Sequence, residues 1–262
     1  MTQASANVNI MIKAARKAAR SLLRDFGEVE NLQVSAKGPG DFVSRADLKA
    51  EQLIREELTE ARPNYGWVGE ESAEVKGADP TRRWIVDPLD GTLNFLHGLP
   101  HWAISIGLEH KGEMVAGVVY DPVKDEMFVA EKGAGAWLND RRLRVSGRRD
   151  MGEMLFATGI PVASKALPRA AREIAAVAAH GAPVRRSGSS ALDLAYVAAG
   201  RFDGCWEHDL KIWDMAAGIV LVREAGGFVA PLGEEASLAE ARSVVAGNAN
   251  VYEGLRALIR GA

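Results

Sequence analysis

The sequence predicts a protein of two lobes, an α+β lobe over residues 1–147 and an α/β lobe over residues 148–262. Three patterns predict this fold class. Apolar residues recur at helical spacing over residues 6–27 and again over residues 46–62. Residues 103–145 alternate short apolar runs with tight turns, which is typical of an antiparallel meander. Beyond that meander, short strand patterns alternate with helical ones, and this alternation indicates α/β layering.

The remaining expected elements are short and bounded by turn residues. In the first lobe, KGPGD at 37–41 interrupts the chain, and strands are expected at residues 65–71 and 82–87. In the second lobe we expect strands at 154–158, 184–186, 202–206, 228–230 and 243–246, and helices at 168–179, 190–199, 213–225 and 251–260.

Composition and charge exclude several classes of protein. The 262 residues are 47% apolar and 26% charged, which is ordinary for a globular chain. A net charge of -3 gives no basic footprint for nucleic acid. Cys205 is the single cysteine, so no internal disulfide can form, which favours a reducing compartment. Without a signal-peptide core or a long apolar stretch, we expect a cytoplasmic protein that does not enter a membrane.

The stretch WIVDPLDGTLNF at 84–95 places two aspartates at the end of an apolar strand. Pro88 biases Asp87 toward an extended conformation, and Asp90 follows two residues later. Ligands of open α/β sheets bind at this end of the strands. If a short helix follows Gly91, its free N–H groups suit an anion, which hard cations would bridge to the aspartates. The alternative is a turn in which both aspartates make only local bonds.

Two further acidic segments occur in similar positions. Gly69-Glu70-Glu71-Ser72 ends another expected strand, and Trp213-Asp214 begins an apolar helix. Taken singly, the glutamates read as solvated charges and Asp214 as a helix-start acid favoured by the macrodipole. Together they favour a shared cleft, because carboxylates at strand ends and helix starts tend to point into the same space.

These three motifs, D-P-L-D-G-T (87–92), G-E-E-S (69–72) and W-D-M-A-A-G (213–218), resemble the magnesium-dependent, lithium-sensitive inositol monophosphatase family. The resemblance implies a sandwich of alternating α-β-α-β-α layers, as in sugar phosphatases, with the active site between two lobes. It also implies a homodimer. It implies two or three Mg²⁺ ions per site, with Mn²⁺ as a substitute. The metal ligands that it implies are Glu70, Asp87, the backbone carbonyl of Leu89, Asp90 and Asp214.

The resemblance also assigns roles around these ligands. Asp47 and Thr92 would orient the attacking water together with Glu70, and the N–H groups of Gly91 and Thr92 would hold phosphate oxygens. The substrate-binding positions that it implies are Gly91, Thr92, Gly188, Ser189, Ser190, Glu207 and Asp214. Ser190 departs from the alanine more usual in the family. Lys37 resembles a lysine of a mobile loop, but Gly38-Pro39-Gly40 changes the loop spacing, so its role stays open.

The activity implied is hydrolysis of a small phosphate monoester, myo-inositol 1-phosphate first, by a metal-activated water and without a phosphoenzyme. One alternative is a related phosphatase, acting on fructose 1,6-bisphosphate, histidinol phosphate or 3′-phosphoadenosine 5′-phosphate. Another is a regulatory protein that uses the same fold to bind a protein or RNA partner.

Overall fold

The computed structural model describes residues 4–28, 34–38, 41–160, 166–233 and 237–262, with the backbone alone for residues 34–38 and 41–44. Two antiparallel strands, β1 (Val34–Gly38) and β2 (Asp41–Ser44), separate helices α1 (Ala6–Phe26) and α2 (Arg45–Ala61). Both helices were predicted. The hairpin was not, because KGPGD indicated only an interruption of the chain.

In the described residues, the first sheet has seven strands in the order of the chain. The first pair is parallel, and every following pair is antiparallel, which confirms the predicted meander. A short helix, α3 (Thr92–Leu96), follows the second of these strands. The strands are β3 (Tyr65–Gly69), β4 (Asp79–Asp90), β5 (Ala103–His110), β6 (Glu113–Asp121), β7 (Glu126–Glu131), β8 (Gly135–Leu138) and β9 (Arg141–Arg142).

The second sheet has five strands in the described residues, in the order β11-β10-β12-β14-β13. Its first three strands are parallel, and β14 runs antiparallel to both of its neighbours. The strands are β10 (Phe156–Thr158), β11 (Val184–Arg185), β12 (Gly204–His208), β13 (Phe228–Ala230) and β14 (Ser243–Gly247). The helices of this part are α4 (Leu167–Ala178), α5 (Ser190–Ala198), α6 (Ile212–Glu224) and α7 (Tyr252–Gly261).

The elements stack in five layers. Helices α1 and α2 cover one face of the first sheet, and α5 and α6 lie between the two sheets. Helices α4 and α7 cover the outer face of the second sheet. This is the predicted α-β-α-β-α sandwich. The division into lobes at residue 147 stays a prediction. Among the described residues, none of the helices combines the length and the apolar content needed to span a bilayer.

Helix α6 has buried residues on all sides, as expected for a helix between two sheets. Two glycines of the first sheet allow it to come close. A Cβ on Gly107 would lie 2.8 Å from the Cβ of Ala216, and a Cβ on Gly117 would lie 2.5 Å from the carbonyl oxygen of Ala217. These contacts hold the first turn of α6, which carries Asp214, against the strands that follow β4.

We expect Gly117→Ala to destabilise the protein, because its Cβ would collide with the backbone of α6, which cannot move without repacking the middle layer. Overpacking of this kind costs about 1–3 kcal/mol, and each kcal/mol lowers the melting midpoint of a chain of this size by roughly 2–4 °C. Thermal unfolding measures the effect. Gly147→Ala is the control, since a Cβ there meets nothing within 4 Å. Equal midpoints for both variants would contradict the close packing of α6.

Candidate active site

Strand β4 ends in the acidic segment, and its last residues are buried. Its pairing with β5 shifts register between Asp87 and Asp90, whose side chains are 2% and 8% exposed. Oδ1 of Asp87 accepts a hydrogen bond from the N–H of Leu89 at 2.9 Å. The Leu89 side chain is fully buried in the core between the first sheet and helices α1 and α2. The local bond expected for a simple turn is therefore present, but it occupies only one carboxylate oxygen.

The turn after β4 brings Thr92 to helix α2. Gly91 has φ +94°, and a Cβ there would lie 3.1 Å from the carbonyl oxygen of His101, so this position requires glycine. The hydroxyl of Thr92 lies 3.1 Å from Oδ1 of Asp47 and 3.0 Å from the carbonyl oxygen of Leu89. The structure thus brings together the predicted pair Asp47 and Thr92, which lie 45 residues apart in the chain.

The four predicted acidic ligands interact with one another electrostatically. Burial raises the pKa of Asp87 well above its usual value, and so do the charges of Glu70, Asp90 and Asp214 and a hydrogen bond with Glu70. Burial also raises the pKa of Asp214. A hydrogen bond from the N–H of Lys211 lowers this pKa, and the negative charges of Asp90, Glu70 and Glu207 raise it further. These four carboxyls therefore lie within electrostatic range of one another, with Asp87 and Asp90 buried and Glu70 and Asp214 half-buried.

The hydrogen bonds of these acids show how the protein stabilises them. Oδ2 of Asp214 accepts from the N–H of Lys211 at 2.7 Å. Oδ2 of Asp90 accepts from the N–H of Ala191 at 2.9 Å and from the hydroxyl of Ser189. Burial raises the pKa of Asp90 to about 6 even so. Within the described part of the chain, no three acidic, histidine or cysteine side chains form a complete ligand set as they stand.

The donor set nevertheless fits hard divalent cations. Every candidate is an oxygen ligand, and carboxylate and carbonyl oxygens are what Mg²⁺ and Mn²⁺ bind. Buried acids that repel one another are held ionised by hydrogen-bond donors or by a compensating positive charge. Asp87 and Asp90 are buried three residues apart, and burial raises the pKa of each, so the site suits such a charge.

The second sheet contributes Glu207 at the end of β12. Burial is the main reason why the pKa of Glu207 rises to about 7, and the negative charge of Asp90 adds to this rise. A hydrogen bond from the Ser190 hydroxyl and the positive charge of Arg186 oppose it. A Cβ on Gly159 would overlap the carboxyl of Glu207, so the absence of a side chain there makes room for the acid. The hydrogen bond means that Ser190, which stands where the family that the sequence resembles more usually has alanine, contacts Glu207.

The other predicted substrate positions lie at the start of α5. Ser189 caps the helix by accepting from the N–H of Leu192, and its hydroxyl donates to Asp90. Gly188 precedes it with φ +84°. The side chain of Lys37 lies outside the described residues.

Two buried acidic residues near the site were not predicted as site residues. Glu51, four residues after Asp47 on α2, accepts a hydrogen bond from the N–H of Glu71 at 2.8 Å and so fixes the segment of Glu70. Asp193 is buried beside Glu207, and its Oδ1 has no hydrogen-bond partner in the described part of the chain. The i, i+4 spacing of Asp47 and Glu51 was a signal that could have placed both on one face of α2. Asp193 gave no comparable signal, since it lies in an apolar helix.

Comparison with known proteins decides the family. A model described as the inositol monophosphatase family matches residues 4–261. The chain belongs to this family. An inositol-1-monophosphatase of Rhizobium meliloti is 54% identical over 98% of this chain and 97% of its own length. The Nus factor SuhB of Escherichia coli is 42% identical over 97% of this chain and 95% of its own length.

Solved structures show the same fold. The extragenic suppressor protein suhB of Bartonella henselae superposes with a TM-score of 0.94 at 53% identity, covering 98% of this chain and 99% of that protein. The layered sandwich and the prediction of an enzyme of the inositol monophosphatase type are thereby confirmed. The roles assigned to single site residues stay predictions.

We expect Glu51→Ala to loosen the segment that carries Glu70, because the N–H of Glu71 loses a buried carboxylate acceptor. This hydrogen bond is only partly buried, so its loss is expected to cost about 1 kcal/mol. Urea unfolding would measure the loss, and hydrogen exchange would show faster exchange at Glu71. Glu51→Gln is the control, since its amide oxygen still accepts the bond. If Ala and Gln variants exchange alike at Glu71, the contact does not hold the segment.

Proposed function

We propose that this protein is a magnesium-dependent phosphatase that hydrolyses myo-inositol 1-phosphate to inositol and phosphate. One observation carries the proposal: Asp87 and Asp90 of β4 interact electrostatically with Asp214 of α6, and Thr92, which contacts Asp47, also contacts the carbonyl of Leu89 between the two aspartates. The family membership of the chain and the name of its Rhizobium relative support the choice of substrate.

Glu70, Asp87, Asp90, Asp214 and the carbonyl of Leu89 would hold two or three Mg²⁺ ions, with Mn²⁺ as a substitute. When bound, such ions lower the pKa of a water molecule and stabilise charge on the attacking and leaving oxygens. The chain itself contributes oxygen ligands and a glycine turn at Gly91 that begins α3. The N–H groups of Gly91 and Thr92 would hold phosphate oxygens.

Thr92 and Asp47 are arranged to orient a water molecule. The Thr92 hydroxyl has one proton, which it gives either to Asp47 or to the carbonyl of Leu89. The Thr92 oxygen then still has a lone pair that can accept a hydrogen bond from water. The Asp47 carboxylate can only accept hydrogen bonds. The pair therefore fixes the direction in which a water's lone pair faces the phosphorus, without a covalent intermediate on the protein.

The hydroxyl-bearing part of the substrate would meet Glu207 and the start of α5. A carboxyl with a pKa of about 7 can accept a hydrogen bond from a sugar-like hydroxyl or donate one to it. Ser190 orients this carboxyl by its hydrogen bond. We assign substrate selection to Glu207, with Gly188, Ser189 and Ser190 forming the adjoining wall.

Family membership also supports a cytoplasmic homodimer that lithium inhibits. A second candidate function is the regulatory one expected from the sequence, since relatives at 42% identity are named Nus factor SuhB. The higher identity to inositol-1-monophosphatases and the buried acid cluster favour catalysis.

The proposal is tested by turnover of a panel of phosphate monoesters with and without Mg²⁺, for wild type and Asp90→Asn. We expect inositol 1-phosphate to be the best substrate and chelation to abolish turnover. Asp90→Asn should lose at least about a hundredfold, or roughly 2.7 kcal/mol of barrier, because an amide cannot supply the ligand's charge. Its oxygen can still accept from Ala191, so the fold should persist.

Asp203→Asn is the matched control for Asp90→Asn. Asp203 is also buried, and its carboxylate accepts from the N–H of Leu155 at 2.8 Å, away from the acid cluster. It should lower the melting midpoint and leave turnover within about tenfold of wild type. Magnesium-independent hydrolysis, or equal losses in both variants, would contradict the proposed site.

We further expect Glu207→Gln to reduce kcat/KM for inositol 1-phosphate more than for an aryl phosphate, which has no hydroxyls to recognise. The glutamine amide can still bond a hydroxyl, but without the carboxylate's charge, which makes such a bond stronger by roughly 1–1.5 kcal/mol; the ratio of the two values should therefore change by about tenfold. Steady-state kinetics on both substrates measures this ratio. Equal losses on both would show that Glu207 serves the cations or the fold.

A further inference from the structure

Asn94 of α3 connects the first sheet's active-site turn to the segment that precedes α5. Its side chain is buried. The amide nitrogen Nδ2 lies 2.7 Å from the carbonyl oxygen of His101, 2.9 Å from that of Ser187 and 3.4 Å from that of Gly188. An asparagine amide has two N–H donors, so one serves the local turn and the other serves a segment 93 residues away.

The segment Ser187–Ser190, which we name the selection loop, lies against α3 at the level of the backbone. Gly188 has φ +84°, and a Cβ there would lie 3.1 Å from Nδ2 of Asn94. A Cβ on Gly91 would lie 3.2 Å from the carbonyl oxygen of Gly188. Glycines at both positions therefore let the loop and the turn touch, and Asn94 supplies the directional bond between them.

A second connection runs through Asp90, which accepts from the hydroxyl of Ser189 and the N–H of Ala191. Asp90 is a candidate cation ligand, so its oxygens are shared between this loop and the cations. Asn94 is neutral, is not among the candidate ligands, and its donors face carbonyl groups of the chain. It can hold the selection loop in the same place whatever Asp90 binds.

We propose that Asn94 is a positioning residue for substrate selection: it fixes the selection loop, and with it Ser190 and Glu207, at a set distance from the Gly91–Thr92 turn. This inference rests on the proposed function for its kinetic consequence. The hydroxyl-binding wall and the phosphate-binding turn belong to different sheets. A substrate that spans both is recognised only if the distance between them is fixed, because misplaced groups lose binding geometry.

The test uses Asn94→Asp, which keeps the shape of the side chain and replaces the donors by oxygens that only accept. Asn94→Ser, which is too short to reach the loop, is a second variant in case the carboxylate prevents folding. In the protein without substrate, hydrogen exchange of the amides from Ser187 to Leu192 should be roughly tenfold faster than in wild type, as expected for loss of about one hydrogen bond.

In steady-state kinetics, KM for inositol 1-phosphate should rise by about tenfold while KM for an aryl phosphate changes little, since the aryl phosphate does not contact the loop. The matched control is Asn248→Asp. Asn248 is also buried, and its Nδ2 donates to the hydroxyl of Ser146 and the carbonyl of Arg148. It should lower stability without changing loop exchange or the ratio of the two KM values.

Unchanged exchange of the selection loop in both Asn94 variants would overturn the proposal. Faster exchange with equal kinetic losses on both substrates would overturn its link to selection. If wild type turned over the aryl phosphate but not inositol 1-phosphate, the proposed substrate would be wrong, and loop exchange would still decide whether Asn94 holds the loop.

Discussion

The burial of several carboxyl groups in one space is the constraint on which the rest of this structure depends. Asp87 and Asp90 are almost fully buried, and burial raises the pKa of both; for Asp87 the neighbouring negative charges raise it further. Such an arrangement opposes folding unless donors or cations compensate it. The chain supplies part of the compensation as backbone N–H groups at Leu89, Ala191 and Lys211. The remainder is what an Mg²⁺ ion would provide under the proposed function, so the acids that oppose folding of the chain alone are also its candidate cation ligands.

The layered fold decides which acids meet. Strand β4 ends beside α2, so Thr92 reaches Asp47, and Glu51 on the next turn of α2 reaches the segment of Glu70. On the other face, the two glycines of β5 and β6 let α6 lie directly on the sheet, which brings Asp214 in its first turn to the end of β4. The packing of the layers therefore determines where the acidic side chains lie. A change that moves α6 also moves a candidate ligand.

The sequence predicted the elements and the acid cluster for reasons that are local. Helical periodicity over residues 6–27 and alternation over residues 103–145 indicate which side chains are buried, and the structure confirms the helix and the meander that they predict. The motifs around Asp87 and Asp214 report strand ends and helix starts. The strand pair β1–β2 lacked such a signal, because its strands have only five and four residues. The spacing of Glu51 from Asp47 indicated a shared face of α2 but not its bond to Glu71. The contribution of Asn94 depends on a partner 93 residues away in the chain, which no periodicity indicates.

Two kinds of connection cross from the acidic turn to the start of α5, and they differ in charge. Asp90 binds Ala191 through a carboxylate, whose preference for N–H groups competes with its preference for cations. Asn94 binds Ser187 through an amide, which has no ionised form and little affinity for a hard cation. A buried amide whose donors are satisfied costs much less than a buried charge. The neutral amide of Asn94 is therefore suited to keep the two layers in register when the carboxylate of Asp90 exchanges N–H groups for cations. For this reason the geometry of the selection loop need not depend on how many cations the site holds.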